Sequence, residues 1–258
     1  MPYPYYSSQL LTDVLHQATF DECFAITKIF HDKQRFPLTV EKLTDEILRV
    51  GGHSFANTLR GHGIAYTELL FDVAKALKID SAIPRETLTT NGATIAEMDE
   101  RATNPVIDAT IAHDWKKQVS DYALHHEKLI ITCFIDNAYQ NMTPNQRAEV
   151  DLKVQEIAKK SGKSFTGLTS SAALLALANA GGFSTYMLLS TVISTLSMGA
   201  ASFGVYTTAS SALSLLLGPM SFAILGLAAA HKLATPNQQK ALRAVVAIVC
   251  IQARLAEE

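Results

Sequence analysis

A run of 67 consecutive residues, 164–230, contains no Lys, Arg, Asp, Glu or His. Small and apolar residues dominate this run, whereas a soluble domain normally places charged residues at its surface every few positions. The run divides near residues 202–208 into two halves, 172–199 and 206–230, and each half exceeds the ~20 residues that a helix needs to span a bilayer core. The pattern therefore predicts an apolar helical hairpin, rich in Gly, Ser and Ala, that inserts into a membrane.

Basic residues lie on both sides of the run, and none lies between its two halves. They are Lys159, Lys160 and Lys163 before the run and Lys232, Lys240 and Arg243 after it. Because positively charged flanks are retained on the cytoplasmic side of a membrane, this distribution predicts a hairpin with both termini of the chain in the cytoplasm.

The same composition is also typical of a second arrangement. Of the 67 residues in the run, 19 are Ser or Thr, and Pro219 interrupts its second half. A helical hairpin buried in a cytoplasmic bundle, or in an oligomer, has this mixture of small, hydroxyl and apolar residues. Small residues also allow close contact between helices within lipid, so a homo-oligomer fits both arrangements.

Composition excludes some partners. The net charge is −2, and charged residues make up 18% of the chain without a strongly basic segment. Nucleic-acid binding is therefore not expected, because it depends on neutralising phosphates.

The three cysteines, Cys23, Cys133 and Cys250, lie far apart among mostly apolar residues. This spacing predicts reduced, buried thiols rather than disulfides or a zinc site.

Helical periodicity dominates the first 163 residues. Apolar residues recur at spacings of three and four, and capping residues such as Thr39 and Thr143 precede the apolar stripes. The predicted helices cover approximately residues 10–15, 21–31, 40–50, 64–77, 93–102, 107–119, 122–137 and 144–160, and a last helix covers 238–255. We therefore predict an all-α chain: an N-terminal cytoplasmic multi-helix bundle in residues 1–163, and then residues 164–258 with the hairpin and the C-terminal helix.

One short stretch combines glycines with an arginine and a histidine. Its notable residues are Gly51, Gly52, Ser54, Asn57, Arg60, Gly61, His62 and Gly63. Ser54 is placed to cap a short helix that ends at Arg60, and the glycines allow the chain to turn at once into the next helix. Either Arg60, His62 and the helix N-terminus hold a phosphate or a lipid headgroup, or the glycines permit close packing and the two side chains form local hydrogen bonds.

This stretch resembles the YaaW-like family of bacterial proteins, which is grouped with the ubiquinol–cytochrome c chaperone domain. The resemblance rests on the Leu-Arg-Gly-His-Gly string at residues 59–63, on Tyr66, and on Gly218 and Pro219 before the last helix. It implies an all-α fold and a bacterial source, and hence the inner membrane for a membrane-inserted form. It supplies no catalytic residues.

The remaining polar residues do not form a recognisable catalytic or metal site. His125, His126 and Glu127 are adjacent, so they point about 100° apart on a helix and cannot place both imidazoles on one ion. We expect these three residues to form a solvated helix face. No nucleophile elbow or phosphate-binding loop occurs, and no catalytic residue, metal ligand or cofactor is predicted.

Three functions follow as hypotheses. The first is a non-enzymatic membrane-associated protein that binds the lipid bilayer, either as a resident anchor or as an oligomeric, pore-forming or membrane-perturbing effector. The second is a soluble, cytoplasmic chaperone-like assembly factor or protein-binding module, as the resemblance suggests, with a protein partner. The third is an enzyme that uses Arg60 and His62 on a phosphorylated ligand.

Overall fold

The computed structural model describes residues 9–51, 63–89, 91–101, 109–160 and 235–255. These residues form eight α-helices and no β-strand, which confirms the all-α prediction. The helices are α1 Gln9–His16, α2 Phe20–Phe30, α3 Val40–Val50, α4 Tyr66–Ala76, α5 Ile95–Arg101, α6 Ala109–Gln140, α7 Pro144–Lys160 and α8 Pro236–Leu255.

Five of the helices begin after a threonine whose hydroxyl accepts a hydrogen bond from the first turn: Thr19, Thr39, Thr94, Thr143 and Thr235. Before α2, the Thr19 hydroxyl accepts a hydrogen bond from the Glu22 backbone N–H at 3.2 Å, and the Thr19 N–H donates to the Glu22 carboxylate at 2.8 Å. This reciprocal pair satisfies two backbone donors that the first helical turn leaves free. The predicted caps Thr39 and Thr143 are confirmed at the starts of α3 and α7.

Helix α6 is a single helix of 32 residues. The prediction of two helices, 107–119 and 122–137, was wrong about the break between them. The polar residues Ser120 and Asp121 interrupt the apolar sequence, but Val119 and Tyr122 on either side are both buried. The Ser120 hydroxyl donates to the Lys116 carbonyl at 2.8 Å, one turn earlier in the same helix. The two polar residues therefore lie within an uninterrupted helix.

Helix α8 forms the centre of the core. Every residue from Ala241 to Ile251 is buried, and α8 contacts α1, α2, α3, α4 and α6. Apart from Arg243, these residues are apolar, and a helix with an apolar surface on all sides is stable in water only when other elements surround it. The predicted last helix is thus confirmed, and it packs on helices from the first part of the chain.

The described residues end at Lys160, in α7, and resume at Thr235, just before α8. Val150 and Val154 of α7 belong to the same hydrophobic core as α8. The predicted hairpin lies outside the described residues, and in the sequence it stands between two helices of one core. The predicted boundary at residue 163 stays a prediction. Within the described ranges, none of the helices combines the length and the apolar character needed to cross a bilayer.

Candidate functional site

Of the predicted glycine, arginine and histidine motif, the structure describes only the two ends. Gly51 follows α3 and Gly63 precedes α4, and the Ile64 N–H donates to the Leu48 carbonyl at 3.0 Å. The chain therefore leaves α3 and enters α4 at adjacent points. The other motif residues, Gly52, Ser54, Asn57, Arg60, Gly61 and His62, lie outside the described residues.

Both terminal glycines of the motif lie where a side chain would meet neighbouring atoms. A Cβ atom on Gly63 would lie 2.5 Å from the Leu48 carbonyl carbon and 2.7 Å from its oxygen. A Cβ atom on Gly51 would overlap the Ile64 side chain. Close packing thus accounts for glycine at these two positions. The phosphate-binding role of Arg60 and His62 stays a prediction.

A buried carboxyl group, that of Glu127, contacts Tyr66, which lies three residues after the motif in sequence. Glu127 of α6 is 2% exposed. Its Oε1 accepts a hydrogen bond from the Tyr66 hydroxyl of α4 at 2.7 Å and another from Gln252 Nε2 of α8 at 3.3 Å. One carboxyl oxygen therefore connects three helices of the core.

The surroundings of Glu127 favour its neutral form. Burial raises the pKa of Glu127 to about 7, and the hydrogen bonds from Tyr66 and Gln252 oppose that rise only in part. Its second oxygen, Oε2, has no hydrogen-bond partner among the described residues. Burial and the adjacent Glu127 also hold the pKa of the Tyr66 hydroxyl well above its ordinary value. Glu127 is therefore a carboxyl group that changes charge near neutral pH.

His126, the neighbour of Glu127, is fully buried. Its Nε2 accepts a hydrogen bond from the Ile83 N–H at 3.0 Å, so the proton is on Nδ1, which donates to the Tyr122 carbonyl at 3.0 Å. The Tyr122 hydroxyl donates to the Ile83 carbonyl at 2.5 Å. These bonds fix the segment around Ile83 to α6. Burial is the main cause that lowers the pKa of His126, so the ring is neutral.

The predicted solvated face at residues 125–127 was therefore wrong for two of its three members. His125 is exposed, but His126 and Glu127 face the core. The physical reason is the helical repeat: buried residues of α6 include Tyr122, Ala123, Ile130 and Ile131. Positions 126 and 127 lie between these pairs on the same stripe, one turn from each. The spacing of four residues along this stripe would have predicted the burial of positions 126 and 127, although both residues are polar.

A second polar cluster joins α4, α5 and the segment between them. Arg85 donates to Glu68 at 3.1 Å and to Asp99 at 3.4 Å. Asp99 also accepts a hydrogen bond from the Thr67 hydroxyl, next to Tyr66. Arg85 and Asp99 are both buried. Since breaking a buried pair leaves an uncompensated charge, this cluster fixes α5 and residue 85 against α4.

The geometry of these groups restricts their chemistry. His126 bonds to the backbone near Ile83 while Glu127 bonds to Tyr66 and Gln252, so the two neighbours do not form an acid and base pair. In the part of the chain that the structure describes, no group of three or more His, Cys, Asp or Glu side chains is arranged to hold a metal ion. The chemistry that the site supports is reversible protonation of Glu127.

No family model, curated protein or solved structure matches this chain. The resemblance to the YaaW-like family therefore stays a prediction.

Proposed function

We propose that this chain is a non-enzymatic, membrane-associated helical protein whose uncharged run, residues 164–230, inserts into a lipid bilayer as a helical hairpin. The observation that carries the proposal is the position of the run between α7 and α8, two helices of one core. A segment that leaves a folded body and returns to it must cross a bilayer an even number of times. Two crossings by the two halves of the run meet this requirement.

The charges around the run support a cytoplasmic position for the helical body. Lys159 is exposed in the last turn of α7, and Lys240 is partly exposed near the start of α8. Arg243 is not counted among the flanking charges, because its side chain is buried in the core. Basic residues still precede and follow the run, so the positive-inside rule favours a hairpin that enters from the cytoplasm. With the bacterial resemblance, the proposed membrane is the inner membrane.

The test compares the full chain with a variant that lacks the run but keeps α8. Ending the chain at Lys163 would remove the central helix of the core, so a truncated chain would be an uninformative control. Residues 161–234 are instead replaced by a Gly/Ser linker of about 20 residues, which has a root-mean-square span of roughly 25 Å. We expect the full chain to stay in membranes after alkaline carbonate extraction and the replaced variant to be soluble, with a helical circular dichroism spectrum.

A pair of point variants tests the insertion itself. An arginine at the centre of a membrane helix costs about 3 kcal/mol on insertion scales. Leu216→Arg, within the second half of the run, is therefore expected to move protein from the extracted membranes to the soluble fraction. Thr207→Arg, near the division between the halves, introduces the same charge and is expected to leave retention unchanged.

Retention of the full chain in the membrane leaves two roles to separate. Release of a trapped dye from liposomes by the purified protein would support a pore-forming or membrane-perturbing effector. In such an effector the Ser and Thr hydroxyls of the run line a water-filled path through the bilayer. Insertion without dye release would support a resident anchor. A full chain that is soluble and monodisperse without detergent would overturn the membrane proposal and favour a chaperone-like, protein-binding module.

A further inference from the structure

The C-terminal end of the central helix α8 makes polar contacts with α6 and α2. Near its C-terminal end, Gln252 donates to Glu127 of α6, and Arg254 bonds to Glu22 of α2. Glu127 also accepts a hydrogen bond from Tyr66, which begins α4. The protonation of one carboxyl group thus affects the junction of α4, α6 and α8.

We propose that Glu127 makes the packing of α8 depend on pH: α8 packs tightly while the Glu127 carboxyl is protonated, and it opens more often when that carboxyl is ionised. This inference does not rest on membrane insertion, because every residue it uses lies in the helical body. It concerns the helix that directly follows residues 161–234, so the attachment of that segment to the body would change with pH as well.

The charged groups around Glu127 are engaged elsewhere. On α8, Arg254 bonds to Glu22. On the α5 side, Asp99 bonds to Thr67 and Arg85, and on α6 itself the neutral His126 ring bonds to Ile83 and Tyr122. From α4, the facing titratable group is the Tyr66 hydroxyl, which donates to the carboxyl oxygen.

Ionisation of Glu127 while α8 is packed is therefore unfavourable in free energy. The carboxylate would be fully buried, with two hydrogen-bond donors on Oε1 and none among the described residues on Oε2. A buried charge of this kind is stabilised when water reaches it. Opening of the junction at Gln252 admits water, so ionisation shifts the equilibrium toward the open arrangement.

The direction with pH follows from linkage. The carboxyl of an exposed glutamate has a pKa of 4.5, and that of folded Glu127 is about 7. Between these values the open state binds fewer protons than the closed state, so the closed state loses stability as pH rises from 4.5 to 7. Between pH 6 and pH 8.5 the expected increase in the opening equilibrium is about tenfold.

Cys250 is a native probe of this opening. It lies on α8 two residues before Gln252, is 3% exposed, and has a pKa raised to about 12 by burial and by Glu22. A thiol in this position reacts with a maleimide only when α8 opens. Cys133 of α6 is partly exposed and serves as an internal reference.

The experiment measures maleimide labelling of Cys250 and Cys133 by peptide mass spectrometry in the full chain and in Glu127→Gln. The glutamine keeps an acceptor for Tyr66 and Gln252 but does not ionise. We expect the ratio of Cys250 labelling rates, native over variant, to rise about tenfold from pH 6 to pH 8.5. The same ratio for Cys133 should stay constant. Glu156→Gln, the same change at an exposed position of α7, should leave both ratios constant.

A constant Cys250 ratio across this pH range would overturn the inference. A second variant keeps the test decisive if Glu127→Gln does not fold. Tyr66→Phe removes a hydrogen bond that lowers the pKa of Glu127, so the rise in Cys250 labelling relative to Cys133 should continue to a higher pH before it levels off. A general loss of stability would instead accelerate labelling equally at all pH values, and that result would contradict the proposal.

Discussion

Arg254, in the last turn of α8, forms a two-point ion pair with Glu22, in the first turn of α2. Its Nε donates to Oε1 and its Nη2 to Oε2, each at 2.9 Å. The Nη2 group also donates to the Gln17 carbonyl at 3.0 Å. The paired side chains are 19% and 9% exposed. This contact joins residues 232 positions apart in sequence and fixes the end of the central helix to the beginning of the fold.

We expect Arg254→Met to lower the free energy of unfolding by about 1–3 kcal/mol, because it removes charge-assisted bonds and leaves a buried carboxylate without its cation. Urea denaturation followed by circular dichroism measures the change. The matched control is Lys153→Met, since Lys153 pairs with Glu156 at the surface, with side chains 51% and 58% exposed. Exposed pairs contribute about 0–1 kcal/mol. Equal losses in the two variants would contradict the prediction.

The two glycines that bound residues 52–62 are expected to differ in their tolerance of alanine. At Gly63 the new Cβ would meet the Leu48 backbone, whereas at Gly51 it would meet the ends of the Ile64 and Leu69 side chains. Side-chain ends move more easily than backbone, so Gly63→Ala should cost about 1–3 kcal/mol and Gly51→Ala less.

Thermal or urea denaturation of both alanine variants tests this order. Gly92→Asn is the control, since Gly92 has a φ of +75° with nothing within 4 Å of its Cβ position, and asparagine tolerates that backbone conformation. A larger loss at Gly51 than at Gly63 would contradict the packing argument.

The decrease in the free energy of unfolding at acidic pH should depend on His126. Burial lowers the pKa of the folded ring below the ordinary value of 6.5. Below that value the unfolded chain binds a proton that the folded ring does not, so the stability contributed by the neutral ring is lost as pH falls. The stability difference between the native chain and His126→Gln should therefore narrow as pH falls below about 6.5.

Urea midpoints between pH 5 and pH 8 measure this narrowing. His113→Gln, at a side chain that is 81% exposed, controls for the loss of an imidazole in general. A difference between the native chain and His126→Gln that stays constant with pH would count against a buried, neutral ring.

A chain that ends at Lys160 should lack a cooperative unfolding transition. It would lose α8, whose residues from Ala241 to Ile251 are all buried, and would expose the apolar faces of the five helices that contact it. Circular dichroism with urea titration tests this expectation. Adding a separate peptide of residues 235–258 should restore part of the transition, and a cooperative transition without the peptide would contradict the central role of α8.

Local sequence signals predicted most of the helices. Thr39 and Thr143 predicted the starts of α3 and α7, because a threonine hydroxyl caps the first turn whatever the helix later contacts. The break predicted near Ser120 was wrong because two polar residues do not end a helix when the residues on either side are buried.

The candidate site could not be predicted in the same way, because its contacts join distant parts of the chain. Tyr66 and Glu127 are 61 residues apart, and Gln252 is a further 125 residues along. Nothing local marks these three side chains as neighbours. The burial of His126 and Glu127 could have been predicted from the sequence, because both continue the apolar stripe of α6. Their polar character instead favoured the prediction of a solvated face. The position of α8 at the centre also depends on five other helices and not on its own sequence.

The central position of α8 determines the order of events during translation. At about 5–20 residues per second, the ribosome needs roughly 5–20 s to make residues 161–255 after α7 has been completed. Throughout that interval the nascent helices α1 to α7 lack the helix that fills their middle. The uncharged run is therefore synthesised before the helix that completes the core.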